Sequence, residues 1–485
     1  MAAAALLVVT ASAAATAPAS AGVLSPAAAS AAAGVKCTDK WIGPASGTRS
    51  WNTAADWSAG VPTPSSVACI EKPGTYTVKV TTFGDAAKAV VVGGAAKGRQ
   101  TLMIDGVNFP ITQSSEVLKR GVLSLNSTSS SDAVISATGT TVSLTIAAGG
   151  TLSSAGTTSH AAEIGTPLLV NNGSMTVVAG TTNDFAATTD RGSFTVSKGS
   201  MFISSGTHFT HSAGKLTVHG TFSGENIFTQ SGGTETGNPV RKAAGTFIDS
   251  AGTGSFIAYQ ATIEGTIPAG QTVTNLASPG NSNDTTGSLS TGVTVDGTLI
   301  CQTTSSTTCS FTTPNDTWPG IIVASGGTLS STGPGIPSQD VFANLSTNID
   351  VQAGGTLTIA NPATRFNAAT LTNSGTWQVT ATGYLDIGGN SIVNSGSAGT
   401  IGVTVGSSVA LPDGTIYDSS GFGFTATGTL AVHTVGSEAR VAVIADPAGL
   451  GTAFSHFSFG SDNYTVTYVR NGSDVLIEVE VIPAG

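Results

Sequence analysis

The sequence predicts an all-β fold, a single right-handed parallel β-helix, on three observations. The first is a phrase of Gly, then Ser, Thr or Lys, then apolar-x-apolar. It recurs at Gly192-Ser193-Phe194, Gly199-Ser200-Met201, Gly214-Lys215-Leu216 and Gly220-Thr221-Phe222. The alternations Phe194/Val196, Met201/Ile203 and Leu216/Val218 have a period of two, so each phrase is expected to be a strand buried on one face. Glycine at each start is expected to supply a corner conformation that a Cβ resists. The second observation is spacing. The pair of phrases is renewed about every 21 residues, the cadence of a solenoid whose rungs bury their apolar faces only by stacking. The third is a corner phrase, apolar-x-polar-Ser/Asn-Gly/Ala, at 169–173, 209–213, 228–232, 371–375 and 392–396. Asn, Gln or His in one recurring slot is expected to stack and hydrogen-bond between rungs, as amide ladders do.

Composition narrows the function classes. Only 9% of the 485 residues are charged and 62 are glycine, yet Val, Ile, Leu and Phe recur at regular intervals, which disordered chains lack. The net charge of −10 and the absence of a basic run exclude the electrostatics of nucleic-acid binding, and no membrane insertion is expected.

In chain order, residues 1–36 read as a signal peptide and Ala-rich linker. Ala3 to Val9 is a short apolar core, followed by small-x-small sites at Ala19-Ser20-Ala21 and Ala31-Ala32-Ala33. Cys37, Cys69, Cys301 and Cys309 agree with export. An even count at local spacings reads as two disulfides, and of the three possible pairings the local one distorts the chain least. No CxxC or paired His accompanies them, so no metal and no cofactor is expected.

Residues 37–83 are expected to form a Trp-rich, disulfide-bonded cap. Trp41, Trp51 and Trp57 lie in W-x-G and WNTAADWSAGVPT, followed by Gly74-Thr75-Tyr76-Thr77-Val78. This pattern resembles the opening segment of a broad group of bacterial secreted and cell-surface β-solenoid proteins of adhesin-like type. The resemblance covers about 45 residues closely and the repeats more loosely. It implies a secreted, non-enzymatic repeat protein and brings no catalytic residues. Physically, the three tryptophans either close the first rung or offer an aromatic platform to sugar rings.

The β-helix itself is expected over 84–455. Its cadence loosens at 234–245, where Asn238 to Lys242 reads as a projecting loop, and again at 277–288, 301–320 and 330–348. Insertions often carry the binding face, which makes Asp316, Trp318 and Asp340 ligand-binding candidates. Residues 456–485 read as a C-terminal β-hairpin, with strands at 464–469 and 475–482. With no LPxTG-like sequence at the end, the protein is expected to be released or held non-covalently.

Parallel β-helices include polysaccharide lyases and glycoside hydrolases, so such an enzyme is the alternative. Asp184, Asp190 and Arg191 come close together, as do Glu225, Glu235 and Arg241 with Lys242, and Asp190 and His211 should stack on one face. His208 and His211 should point to opposite sides of a strand, which disfavours a shared metal. The expected function is non-catalytic, with multivalent contacts to carbohydrate or cell surfaces. Ice binding by threonine rows is set aside because the threonines are irregularly spaced in sequence.

Overall fold

The computed structural model describes residues 36–276 apart from 244 and 260, then 285–304, 308–312, 320–334, 343–367 and 370–380, and from 384 to 482 the strands and residue 399. The expectations for residues 1–35, and for Asp316, Trp318 and Asp340, lie outside the described residues.

Through most of the described rungs a strand pairs in parallel with the third strand after it. Ala187–Asp190 lies on His208–His211, Ser193–Val196 on Lys215–Val218, and Met201–Ser204 on Thr221–Gly224. A rung is therefore three strands on three faces, and the stacked rungs form a right-handed parallel β-helix. Alternation decides which side chains turn inward. Phe194 and Val196 are fully buried between exposed Ser193 and half-buried Thr195.

On the third face the expected phase is off by one residue. Phe202 and Ser204 point inward, while Met201 is 38% exposed. Ser200 belongs to a four-residue corner closed by its N–H on the Ser197 carbonyl (3.0 Å), and Phe202 packs against Phe194 and Phe222 at 4.8 and 5.0 Å. Two corner glycines also have a different cause from the one expected. Gly173 and Gly192 do not have positive φ, but a Cβ on Gly192 would strike the carbonyl of Gly173 in the rung before, and one on Gly173 that of Ala147. Closeness of rungs, not conformation, demands glycine there.

Parallel pairing begins inside the Trp-rich segment. Asp39–Lys40 pairs with Val67–Ile70 and Ser46–Ser50 with Thr75–Val80, and these continue into Ala89–Val92 and Gln100–Asp105. The projecting loop expected at Asn238 to Lys242 is instead part of the ladder. Val240–Ala243 is a strand of the third face with Val240 buried, and Asn238 Nδ2 donates to the carbonyls of His219 (3.1 Å) and Gly220 (2.9 Å). At the far end Asn463–Asn471 and Asp474–Ile482 form the expected antiparallel hairpin, which lies along Arg440–Asp446.

The register also aligns threonines that look scattered in sequence. Thr272, Thr298, Thr328, Thr356, Thr376, Thr400 and Thr429 are successive partners on the third face, all half-buried. Connections of unequal length between strands hide this row from linear spacing.

Candidate functional site

The polar residues singled out from the sequence converge on the interior. On the first face the corner slot runs Asn171, Asp190, His211, Gln230, Asp249 through consecutive paired rungs, and all five are fully buried. The expected stacking is present, and it lies inside the helix rather than on an outer face.

The geometry explains why polar side chains sit there. Asn171 and Asp190 are each followed by a two-residue corner ending in Gly173 and Gly192. Their Oδ1 atoms accept from those glycine N–H groups, at 3.1 and 3.4 Å. Such a side chain replaces the backbone acceptor that a longer turn would supply. Between rungs, Asn171 Nδ2 donates to Asp190 Oδ1 (2.6 Å), and Asp190 Oδ2 meets His211 Nδ1 at 2.8 Å. Gln230 Nε2 donates to the Gly232 carbonyl (2.7 Å), and Gln271, with its amide turned to donate, reaches Asp249 Oδ1 at 3.1 Å. Burial pushes the Asp249 carboxyl up to about 8.

Beside this ladder runs an aromatic stack that sequence reasoning missed. Phe209, Phe228 and Phe247 are successive partners, with ring centroids 5.6 and 5.9 Å apart and planes within 6° and 13°. The signal was available, because each Phe stands two residues before His211, Gln230 or Asp249.

The candidate catalytic residues separate. Asp184 lies at another corner, fully buried, accepting from Ala186 N (3.0 Å) and Thr188 Oγ1 (2.6 Å), and burial pushes its carboxyl up to about 7. Glu235 takes the inward position above Leu216. Its Oε2 accepts from Ser255 N at 2.7 Å, and burial raises it to about 7. Lys242 is buried, donating to the carbonyls of Gly224, Glu225 and Ala243 at 3.1–3.3 Å, and burial lowers it to about 8. Arg241 and Glu225 are exposed and Arg191 is half-exposed, with Glu225 accepting from Ser205 Oγ at 2.6 Å. Asp184, Asp190 and Glu235 are therefore enclosed by the rungs and occupied with backbone or neighbouring side chains, out of reach of a polymer outside. His208 is exposed and His211 buried, on opposite sides of their strand as expected.

The tryptophan platform is corrected in the same way. Trp41, Trp51 and Trp57 are 3%, 0% and 3% exposed, so no ring face is free for a sugar. Trp57 meets Trp41 and Trp51 edge-on at 5.2 and 4.8 Å and donates its Nε1–H to the Trp51 carbonyl at 2.8 Å. Trp51 packs on Phe109 at 5.1 Å, which ties the segment to the interior of the next rungs. Both local disulfides are formed, Cys37–Cys69 and Cys301–Cys309. Among the described residues no helix is long and apolar enough to cross a membrane.

No family model matches the chain, and no curated protein matches it. Among solved structures it is similar to the TibC-catalyzed hyper-glycosylated fragment of TibA, at 12% identity and a TM-score of 0.22, covering 81% of this chain and 98% of that one.

Proposed function

We propose that the protein is a secreted, non-catalytic, adhesin-like β-helix of a cell surface or matrix, making multivalent contacts with carbohydrate or cell-surface components. The observation that carries this reading is the outer register, above all the row Thr272, Thr298, Thr328, Thr356, Thr376, Thr400 and Thr429. A rigid ladder repeats the same hydroxyl contact at each rung, ~4.8 Å apart, so many weak contacts add as avidity where no single deep site is needed. The buried carboxylates support the non-catalytic half, since Asp184, Asp190 and Glu235 serve the interior. The disulfides and the opening Trp pattern support an extracellular setting.

A glycan array run beside reducing-sugar and unsaturated-product assays on pooled polysaccharides tests this. Retention without turnover, weakened when Thr328, Thr356 and Thr376 are together replaced by Val, is the expected result. Turnover that disappears in Asp190→Ala or Arg191→Ala would overturn the reading in favour of a polysaccharide-degrading enzyme.

A further inference from the structure

The middle of the buried ladder carries a feature that corner-capping does not use. His211 is fully buried and spends Nδ1 on Asp190 of the rung before, leaving Nε2 without a partner. Glu235, in the rung after, is also buried and leaves Oε1 without a partner. A Cβ on Gly233, two residues before Glu235, would strike His211 Nε2, so that nitrogen is aimed at the segment carrying Glu235. The Glu235 carboxyl feels the imidazole charge, which pulls it down against the larger upward push of burial. Gln230, the direct partner of His211, is neutral, and the aromatic rings of Phe209 and Phe228 wall the ladder on its inner side. The other charged groups at these corners are half-exposed Arg191 and exposed Lys215.

We propose that Asp190, His211 and Glu235 form a pH-sensitive rivet that fastens the rungs from 187 to 237 while two protons are shared among the three groups. With ionised Asp190, imidazolium His211 and protonated Glu235 the site has no net charge, and Nε2–H can donate toward Glu235 while Nδ1–H holds Asp190. Loss of one proton leaves a net charge of −1, and loss of the second leaves two carboxylates around a neutral ring that has a single N–H to donate. Uncompensated charge in a sealed interior is strongly unfavourable. The fastening is complete below the ordinary carboxylate range and is lost as pH rises through about 7, the raised value of Glu235, and the protons leave. The central rungs then open locally while the apolar rungs before them stay closed.

Hydrogen exchange of the full chain between pH 5.5 and 8.5, corrected for intrinsic rates, tests this. Peptides covering 208–237 should lose protection by roughly tenfold or more, the equivalent of one pKa unit, while those covering 100–126 change little. Glu235→Gln keeps the Asp190–His211 pair and removes one ionisation, so it should blunt that response and shift the His211 ring ¹⁵N resonances. His211→Gln removes the imidazolium between the two carboxylates and should also blunt the response. A wild-type response equal in 208–237 and 100–126 would overturn the proposal. So would a pH response, together with His211 resonances, left unchanged by Glu235→Gln.

Discussion

Ile70, Val92, Val117 and Ile146 lie one on another in a single inward column of the first face, all fully buried. The next five rungs put Asn171, Asp190, His211, Gln230 and Asp249 in the same column, equally buried. The strands on either side of the change are alike in length and pairing, so the strand does not dictate the switch. The corner does. After Val117 and Ile146 the chain turns through Leu118–Gly121 and Ala147–Gly150, each closed by its own backbone bond at 2.8 Å. After Asn171 and Asp190 the corner has two residues and no such bond, and the side chain accepts the N–H instead. The same device closes Asp184 on Ala186 and Asn361 on Ala363 at other corners. At Asn171, Asp190 and Asp184 the buried polar residue marks a two-residue corner, and its polarity answers a backbone need rather than a substrate.

The contrast can be broken most forcefully at Asp190. Asp190→Ala removes the partner of a buried histidine and should destabilise the protein by about 3–5 kcal/mol, the range for breaking a buried pair. Ile146→Val in the apolar part of the column should lose only about 0.5–1.5 kcal/mol. Denaturant midpoints of the two variants check this, and equal losses would erase the distinction.

The disulfides come next in size. Cys37–Cys69 joins the apolar opening rungs, where no polar ladder fastens neighbours. Replacing both cysteines by serine should reduce stability by about 2–4 kcal/mol. Intact mass without reductant should be lower by four hydrogens, two for each of the two bonds.

A more diffuse effect, spread over several buried groups, is expected from pH. Burial raises Asp184 and Glu235 to about 7 and Asp249 to about 8, so the folded state binds more protons than the unfolded one between the ordinary carboxylate range and these values. Their contribution is full below about pH 4 and is lost as pH rises to about 8. Lys242, lowered to about 8, acts in the opposite direction above that point, stability rising with pH toward the ordinary lysine value. Thermal melts should therefore fall from pH 5 to pH 8. Asp249→Asn should flatten part of that slope, and an unchanged slope would count against burial as its cause.

The rung, its period and the stacking slot were legible because each repeats in sequence. The slot's position inside the helix was not, because a polar residue at a strand end reads equally well as surface. Phase failed at Met201, where a four-residue corner looks like a strand start, and at Asn238 to Lys242, where Pro239 and adjacent charges imitate a loop. Lys242 is hard to foresee as buried, since its burial depends on Gly224 one rung earlier offering space and a carbonyl. The threonine row escaped notice because unequal connections scramble its spacing while leaving the register intact.

The most direct test of the corner's control over the column is a rescue at Asn171. Asn171→Leu removes the acceptor for Gly173 N–H and should cost about 1–3 kcal/mol, the penalty of an orphaned buried donor together with the bond to Asp190. Adding two residues between Asn172 and Gly173, to match the self-closing corner at Ala147–Gly150, should recover much of that loss in the Asn171→Leu background and lower stability in the wild type. Denaturation of the four proteins as a cycle reads the coupling. Stability unchanged in Asn171→Leu, or an insertion that harms both backgrounds equally, would contradict the claim that the short corner is what requires the buried polar residue.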